Sequence, residues 1–180
     1  MGVLEKKDYP HYNVSEYENW EGKWELIKGI PYAMSPAPTI IHQSISQKIA
    51  RQLGDLLKDC KKCQALLPID WKIADDTVVQ PDNLVICHEA SGQYLTQAPE
   101  IIFEILSPST AKKDEGIKFE LYQKEGVKYY VIVNPETSVA KVFKLTDDGR
   151  LIKKIDAKND SVSLSIEDCK LVFDFSQIWI

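Results

Sequence analysis

Nowhere does the 180-residue chain hold the roughly 20 consecutive apolar residues that a bilayer-spanning helix needs. The opening stretch "MGVLEKKDYPHYN" lacks the apolar core of a secretory leader. A cytoplasmic protein with no membrane partner is therefore expected. There is no low-complexity tract and no internal repeat. With 44% hydrophobic and 27% charged residues the chain is neither disordered nor fibrous. At this length a single domain over 1–180 is expected.

An excess of basic charge is also missing. The 22 Lys and Arg are outnumbered by 27 Asp and Glu, for a net charge of −5. Affinity for phosphates comes mainly from Lys and Arg displacing counterions, so a broad electrostatic grip on nucleic acid is excluded. Any such role must be local. It could arise where divalent metal reverses the sign of an acidic cluster, or where Lys112, Lys113 and Lys118 gather. Cysteines number four, and Cys60-x-x-Cys63 has the spacing of half a zinc site or a redox pair. A zinc site would need a second pair or closely spaced histidines, and a redox pair would open a helix rather than close one. Free thiols are expected.

What is present reads as mixed α/β. Ser15 followed by Glu18 has capping-box spacing, which predicts a short helix starting there. "KWELIKGIPYAMS" reads as a hairpin turning at Lys28-Gly29. From Thr39 to Lys58, Ile41, Ile45, Ile49, Leu53 and Leu56 recur at three- and four-residue steps, the mark of a helix with one buried face. "QALLPIDWKI", "QPDNLVIC" and "EIIFEIL" follow as three neighbouring strands. A helix capped at Ser109-Thr110 should run to about Glu125 and stop at Gly126, before the strand "KYYVIV". Strand, helix, strand in that order predicts a right-handed crossover with parallel strands. A further hairpin and an apolar tail, 146–180, should pack on the body. One sheet with a long helix on each side is the expected architecture.

Two acids stand out. Glu104 interrupts Ile101, Ile102, Phe103, Ile105 and Leu106. An ionised buried acid costs several kcal/mol unless paired or metal-bound. Asp82 sits at the head of the preceding strand. On adjacent strands the two would form a pair of hard oxygen donors suited to magnesium, which takes one or two carboxylates and keeps several waters. The backbone carbonyl of Ile105 is a candidate further ligand. On the following helix Asp114, Lys118 and Tyr122 are spaced four apart and share a face. A lysine there suits the support of an attacking hydroxide in phosphodiester hydrolysis. Plainer readings stay open: Asp82 as a turn residue, Tyr122 as core, and Lys118 paired only with Asp114, worth about 0.3–0.5 kcal/mol on an exposed helix.

The segments "GIPYAMSPAPTIIHQSIS", "LPIDWKIADDTVVQPDNLVIC" and "APEIIFEILSPSTAKKDEGIKFELYQKEGVKYYVIVNPETSVAKVFKL" resemble the Uma-two family of putative restriction endonucleases, within the PD-(D/E)XK nuclease superfamily. The likeness covers about 24–145. It implies a restriction-endonuclease-like mixed central sheet flanked by helices, with an added N-terminal hairpin. It also implies a Mg2+-dependent (or Mn2+-dependent) endonuclease, a hydrolase acting on ester bonds of DNA. The superfamily's aspartate and glutamate fall on Asp82 and Glu104. Its lysine two residues after the glutamate is replaced by Leu106, and in this family Lys118 is the matching position. The early acid of the family maps to Glu25, a further metal ligand or a neighbour of one; a second acid common after the next glycine is Ile30 here. His42 and Gln43 match a His-Gln pair and, with Tyr122, are supporting candidates. A homodimer is expected, since double-strand cleavage needs two symmetry-related sites. Two rivals remain: an inactive nuclease-fold module that binds nucleic acid or protein, and a small structural α/β protein with merely paired acids.

Overall fold

The computed structural model describes residues 9–34 and 37–180. The first eight residues of the expected domain, and Ser35 and Pro36 in the joint before the long helix, lie outside the described residues.

Six strands form the central sheet, in the spatial order β10 (Leu151–Ala157), β9 (Val139–Leu145), β8 (Tyr129–Asn134), β7 (Ile101–Ile105), β6 (Asn83–Ile86) and β3 (Gln64–Leu66). Only β7 and β8 run parallel, so the sheet is mixed, and the crossover expected between them is present. Side chains alternate across a strand. Ile101, Phe103 and Ile105 of β7 therefore enter a core with the long helix α2 (Ile40–Leu56) and the C-terminal hairpin β11 (Ser161–Ile166) and β12 (Cys169–Asp174). Ile102 enters a second core on the opposite face, with Leu121, Tyr122 and Tyr130. Period two puts Glu104 on the face of Ile102.

That opposite face differs from the expected long helix. It carries two short helices, α3 (Ala111–Asp114) and α4 (Ile117–Lys124), and a second, four-stranded sheet. Gly116 sits at the break between the helices, where a Cβ would stand 2.8 Å from the Lys112 carbonyl oxygen. Thr110 makes no side-chain cap bond; its hydroxyl instead accepts from the Ser107 N–H at 3.2 Å. The stop at Gly126, with φ of +82°, is as expected.

The smaller sheet has the order β2 (Ile30–Ala33), β1 (Trp24–Ile27), β5 (Thr77–Val79), β4 (Trp71–Ala74). Lys28 and Gly29 both take positive φ and turn the β1–β2 hairpin as read from sequence. The stretch "QALLPIDWKI" is not one strand but two, in different sheets. Pro68 has no N–H to give a ladder, and there the chain leaves the central sheet for the smaller one.

The N-terminal helix α1 (Val14–Tyr17) is capped two residues earlier than expected. Asn13 Oδ1 accepts from Glu16 N at 3.1 Å and the Glu16 carboxylate accepts from Asn13 N at 2.9 Å, while the Ser15 hydroxyl only donates to Asn13. The free-thiol expectation is also corrected: Cys60 is bonded to Cys169 and Cys63 to Cys87. Gln64 pairs with Ile86 across β3 and β6, so Cys63 and Cys87 face each other one step further on. Strand register decides this, and Cys-x-x-Cys spacing does not show it.

Candidate active site

Glu104 lies near the end of β7, on the face covered by α4 and the smaller sheet. Asn83 of β6 pairs with Phe103, and one further step sets Asp82 opposite Glu104. Asp82, one residue before β6, thus stands opposite Glu104 of β7.

Lys118, in the first turn of α4, is the cation of Glu104 but not of Asp82. Its Nζ lies 2.7 Å from Glu104 Oε1, 2.8 Å from Glu25 Oε1 and 3.5 Å from Asp114 Oδ1. The Tyr122 hydroxyl, one turn on, donates to the same Glu104 oxygen at 2.7 Å. Tyr122 also stacks near Trp71 and meets Tyr130 edge-on, so it serves site and core at once. Glu25, fully buried on β1, brings the smaller sheet into the cluster. Its Oε1 also accepts from Gln80 N at 2.9 Å, and Lys113 pairs with its Oε2.

Asp82 is held by a different set. Its Oδ2 accepts from Ile105 N at 2.8 Å and lies 3.1 Å from His42 Nε2. His42 stands on the first turn of α2, which a second tie holds over β6: the Ser46 hydroxyl donates to Asn83 Oδ1 at 2.9 Å. Ile105 therefore meets the site through its N–H; no contact of its carbonyl with the acids is recorded. Gln43 turns away from the acids and donates to the Pro38 carbonyl at 3.0 Å.

Charge is unevenly matched. Glu25, Asp82, Glu104 and Asp114 converge on two lysines and one histidine. Burial pushes Glu104 well above the ordinary value of 4.5, against the pull of Lys118 and with help from Asp114, Asp82 and Glu25. Burial likewise raises Asp114. For Lys118, burial works against the charge, but Glu104, Glu25 and Asp114 outweigh it and hold the ammonium well above 10.5. Glu25 is lowered: its burial is overcome by Lys118, Lys113 and the Gln80 N–H. His42 is raised because Asp82 outweighs the cost of burial. Lys118 thus stays charged and Glu104 carries the surplus.

The donor set fits a hard divalent cation. Among the described residues, every recorded donor to Glu104 lands on Oε1 and every one to Asp82 lands on Oδ2, so each acid keeps one oxygen without a protein partner. Asp114 Oδ1 is buried without a hydrogen bond. A divalent cation would offset the excess negative charge through oxygens of the type magnesium prefers. No three His, Cys, Asp or Glu among the described residues gather tightly enough to hold a metal unaided; two carboxylates with waters is the arrangement magnesium uses. Two cavities, of about 340 Å3 beside the 88–97 loop and about 310 Å3 between α2 and β3, lie away from the acids.

Sequence reasoning missed Lys113 and Gln80. Gln80 contributes a backbone N–H, which leaves no trace in residue identity. Lys113 was noted only as part of a basic group; its partner Glu25 is 88 residues away.

The model of a family described as "Putative restriction endonuclease" matches residues 10–172. An uncharacterized protein of Synechocystis sp. PCC 6803 is 29% identical over 151 residues, covering 78% of each chain. The crystal structure of a putative nuclease belonging to DUF820 from Anabaena variabilis superimposes with a TM-score of 0.76 at 16% identity, over 93% of this chain and 97% of that one. At that identity the likeness is one of fold. No helix among the described residues is long and apolar enough to cross a membrane.

Proposed function

The chain belongs to the Uma-two family of putative restriction endonucleases, and from that premise we propose that it is a Mg2+-dependent endodeoxyribonuclease that hydrolyses phosphodiester bonds in DNA. One observation supports this reading above the others. Asp82 and Glu104, on adjacent strands, each have one oxygen taken up by the protein and one left over, with an ammonium 2.7 Å from Glu104.

In this reading Asp82 and Glu104 hold the cation, with the Ile105 carbonyl as the backbone candidate and Glu25 one lysine away. The bound cation supplies Lewis-acid neutralisation of the phosphate and an acidified water. The protein's own part is positional. Ile105 N–H and His42 fix Asp82, and Tyr122 and Lys118 fix Glu104. The Lys118 ammonium offsets the negative charge that grows on the attacking water's oxygen as its proton leaves. The lysine that the superfamily carries two residues after the glutamate is thus replaced from α4, a helix turn before Tyr122.

Cleavage of both strands calls for a two-fold pair of sites, hence a homodimer. In this reading the enzyme meets its DNA in the cytoplasm. A second reading, a silent nuclease-fold module binding nucleic acid or protein, draws support from Lys118, which is committed to three carboxylates and only 3% exposed. Purified protein with Mg2+ or Mn2+ is expected to nick supercoiled plasmid, and Asp82→Ala and Glu104→Gln to abolish nicking. Equal nicking by parent and both variants would mean a contaminant and defeat the assignment. A parent that binds DNA without cutting it, with binding unaffected by Glu104→Gln, would favour the module.

A further inference from the structure

Of the two lysines in the cluster, Lys113 is the one that water reaches: its side chain is 12% exposed against 3% for Lys118. It stands on α3, directly after the Ser107–Thr110 loop that leaves the end of β7, the strand bearing Glu104. Among the described residues its one carboxylate partner is Glu25, and Glu25 does not depend on it. Glu25 Oε1 keeps Gln80 N at 2.9 Å and Lys118 Nζ at 2.8 Å when Lys113 moves away. Lys118 has no such freedom, since Glu104, Glu25 and Asp114 surround it.

The charge count decides what that freedom is for. Three acids face two lysines and a fourth, Asp82, faces His42, so acids outnumber cations in the cluster before any metal binds. A DNA phosphate then arrives at a site with little net attraction, on a protein whose overall charge is −5. Beside the exposed Lys112, a second cation that can turn outward adds attraction there. We propose that Lys113 is a DNA-binding residue: it exchanges Glu25 for a backbone phosphate beside the scissile one, while Lys118 stays inside at the chemistry. This inference rests on the nuclease reading and adds the group that receives the substrate.

The test is nicking of supercoiled plasmid with Mg2+ over a series of NaCl concentrations, alongside melting curves. Lys113→Met is expected to raise KM about tenfold. Its plot of log kcat/KM against log salt should be shallower than the parent's by about 0.9, the loss of one phosphate contact. Lys113→Arg should recover most of both. Lys113→Gln, which keeps a donor for Glu25, guards against misfolding; it should melt with the parent yet share the Lys113→Met defect. A parent-like KM and salt slope in Lys113→Met and Lys113→Gln would overturn the proposal, as would a loss confined to kcat. A parent that nicks no DNA would overturn the nuclease reading itself, an outcome separate from either of these.

Discussion

The Lys118 ammonium and the Glu104 carboxylate meet at 2.7 Å with both side chains almost fully buried. Removing one partner of a buried pair leaves the other uncompensated, at a cost of about 3–5 kcal/mol. Lys118→Met should therefore lose nicking and also melt well below the parent. Glu104→Gln should lose nicking yet melt at or above the parent in metal-free buffer, because it deletes a surplus charge and keeps an oxygen for Lys118 and Tyr122. Chemical denaturation of the two variants checks this opposite pair of shifts.

Acidity gives a second expectation. Glu104 binds its proton more tightly in the folded protein than its ordinary value of 4.5. Stability from that proton is full below pH 4.5 and is lost as pH rises through the elevated folded value. Relative to Glu104→Gln, the metal-free parent should become steadily less stable as pH climbs above 4.5. Glu25, being lowered, acts in the opposite sense and contributes stability that is lost as pH falls below 4.5. Denaturation midpoints of parent and Glu104→Gln measured across pH 4 to 8 follow the difference; parallel curves would contradict the buried surplus.

Metal should act as a native-state ligand. Added Mg2+ or Mn2+ is expected to raise the melting temperature progressively, by about 2.7 kcal/mol of stability at one hundred times Kd. The increase should vanish in Asp82→Ala. Calorimetric scans over a metal titration read it directly, and metal-insensitive melting in the parent would count against an ion between the two acids.

The bridges Cys60–Cys169 and Cys63–Cys87 close loops with sequence separations of 109 and 24 residues. In the chain-entropy account they contribute about 3–5 kcal/mol each, the longer loop the more. Dithiothreitol should lower the melting temperature without abolishing nicking, since no sulfur touches the acid cluster. Serine substitution at Cys60 and at Cys63, each melted with and without reductant, separates the two contributions.

Much of the site was legible because its inner half is local. Glu104, Lys118 and Tyr122 lie on one strand–helix stretch, and a single charge within an apolar run is visible in a string of letters. The two-residue turn at Lys28-Gly29 and the periodicity of α2 were legible for the same reason. What stayed hidden depends on partners far away in sequence. Which sheet Trp71–Ala74 joins, and which cysteines meet, follow from register. Lys113 was hidden by the break at Gly116. On an unbroken helix residues 113 and 118 would point about 140° apart, so a continuous reading of 110–125 could not send both to Glu25. The sequence reading took Ser15 as the cap and did not weigh Asn13, whose spacing to Glu16 is the same; only the backbone shows which oxygen meets the helix N–H groups.

Glu25 belongs to the smaller sheet and Glu104 to the larger, so Lys118 works as a rivet between two layers. Its grip is made in a buried seam near Trp71, Tyr122 and Tyr130. A homologue that shed the β1–β2 hairpin would keep the parallel crossover with its glutamate and lysine, but that pair would then be open to water from above. The outer layer is in this sense the insulation of the inner one, and changes to the hairpin far from the acids should register as changes in how tightly the lysine holds its charge.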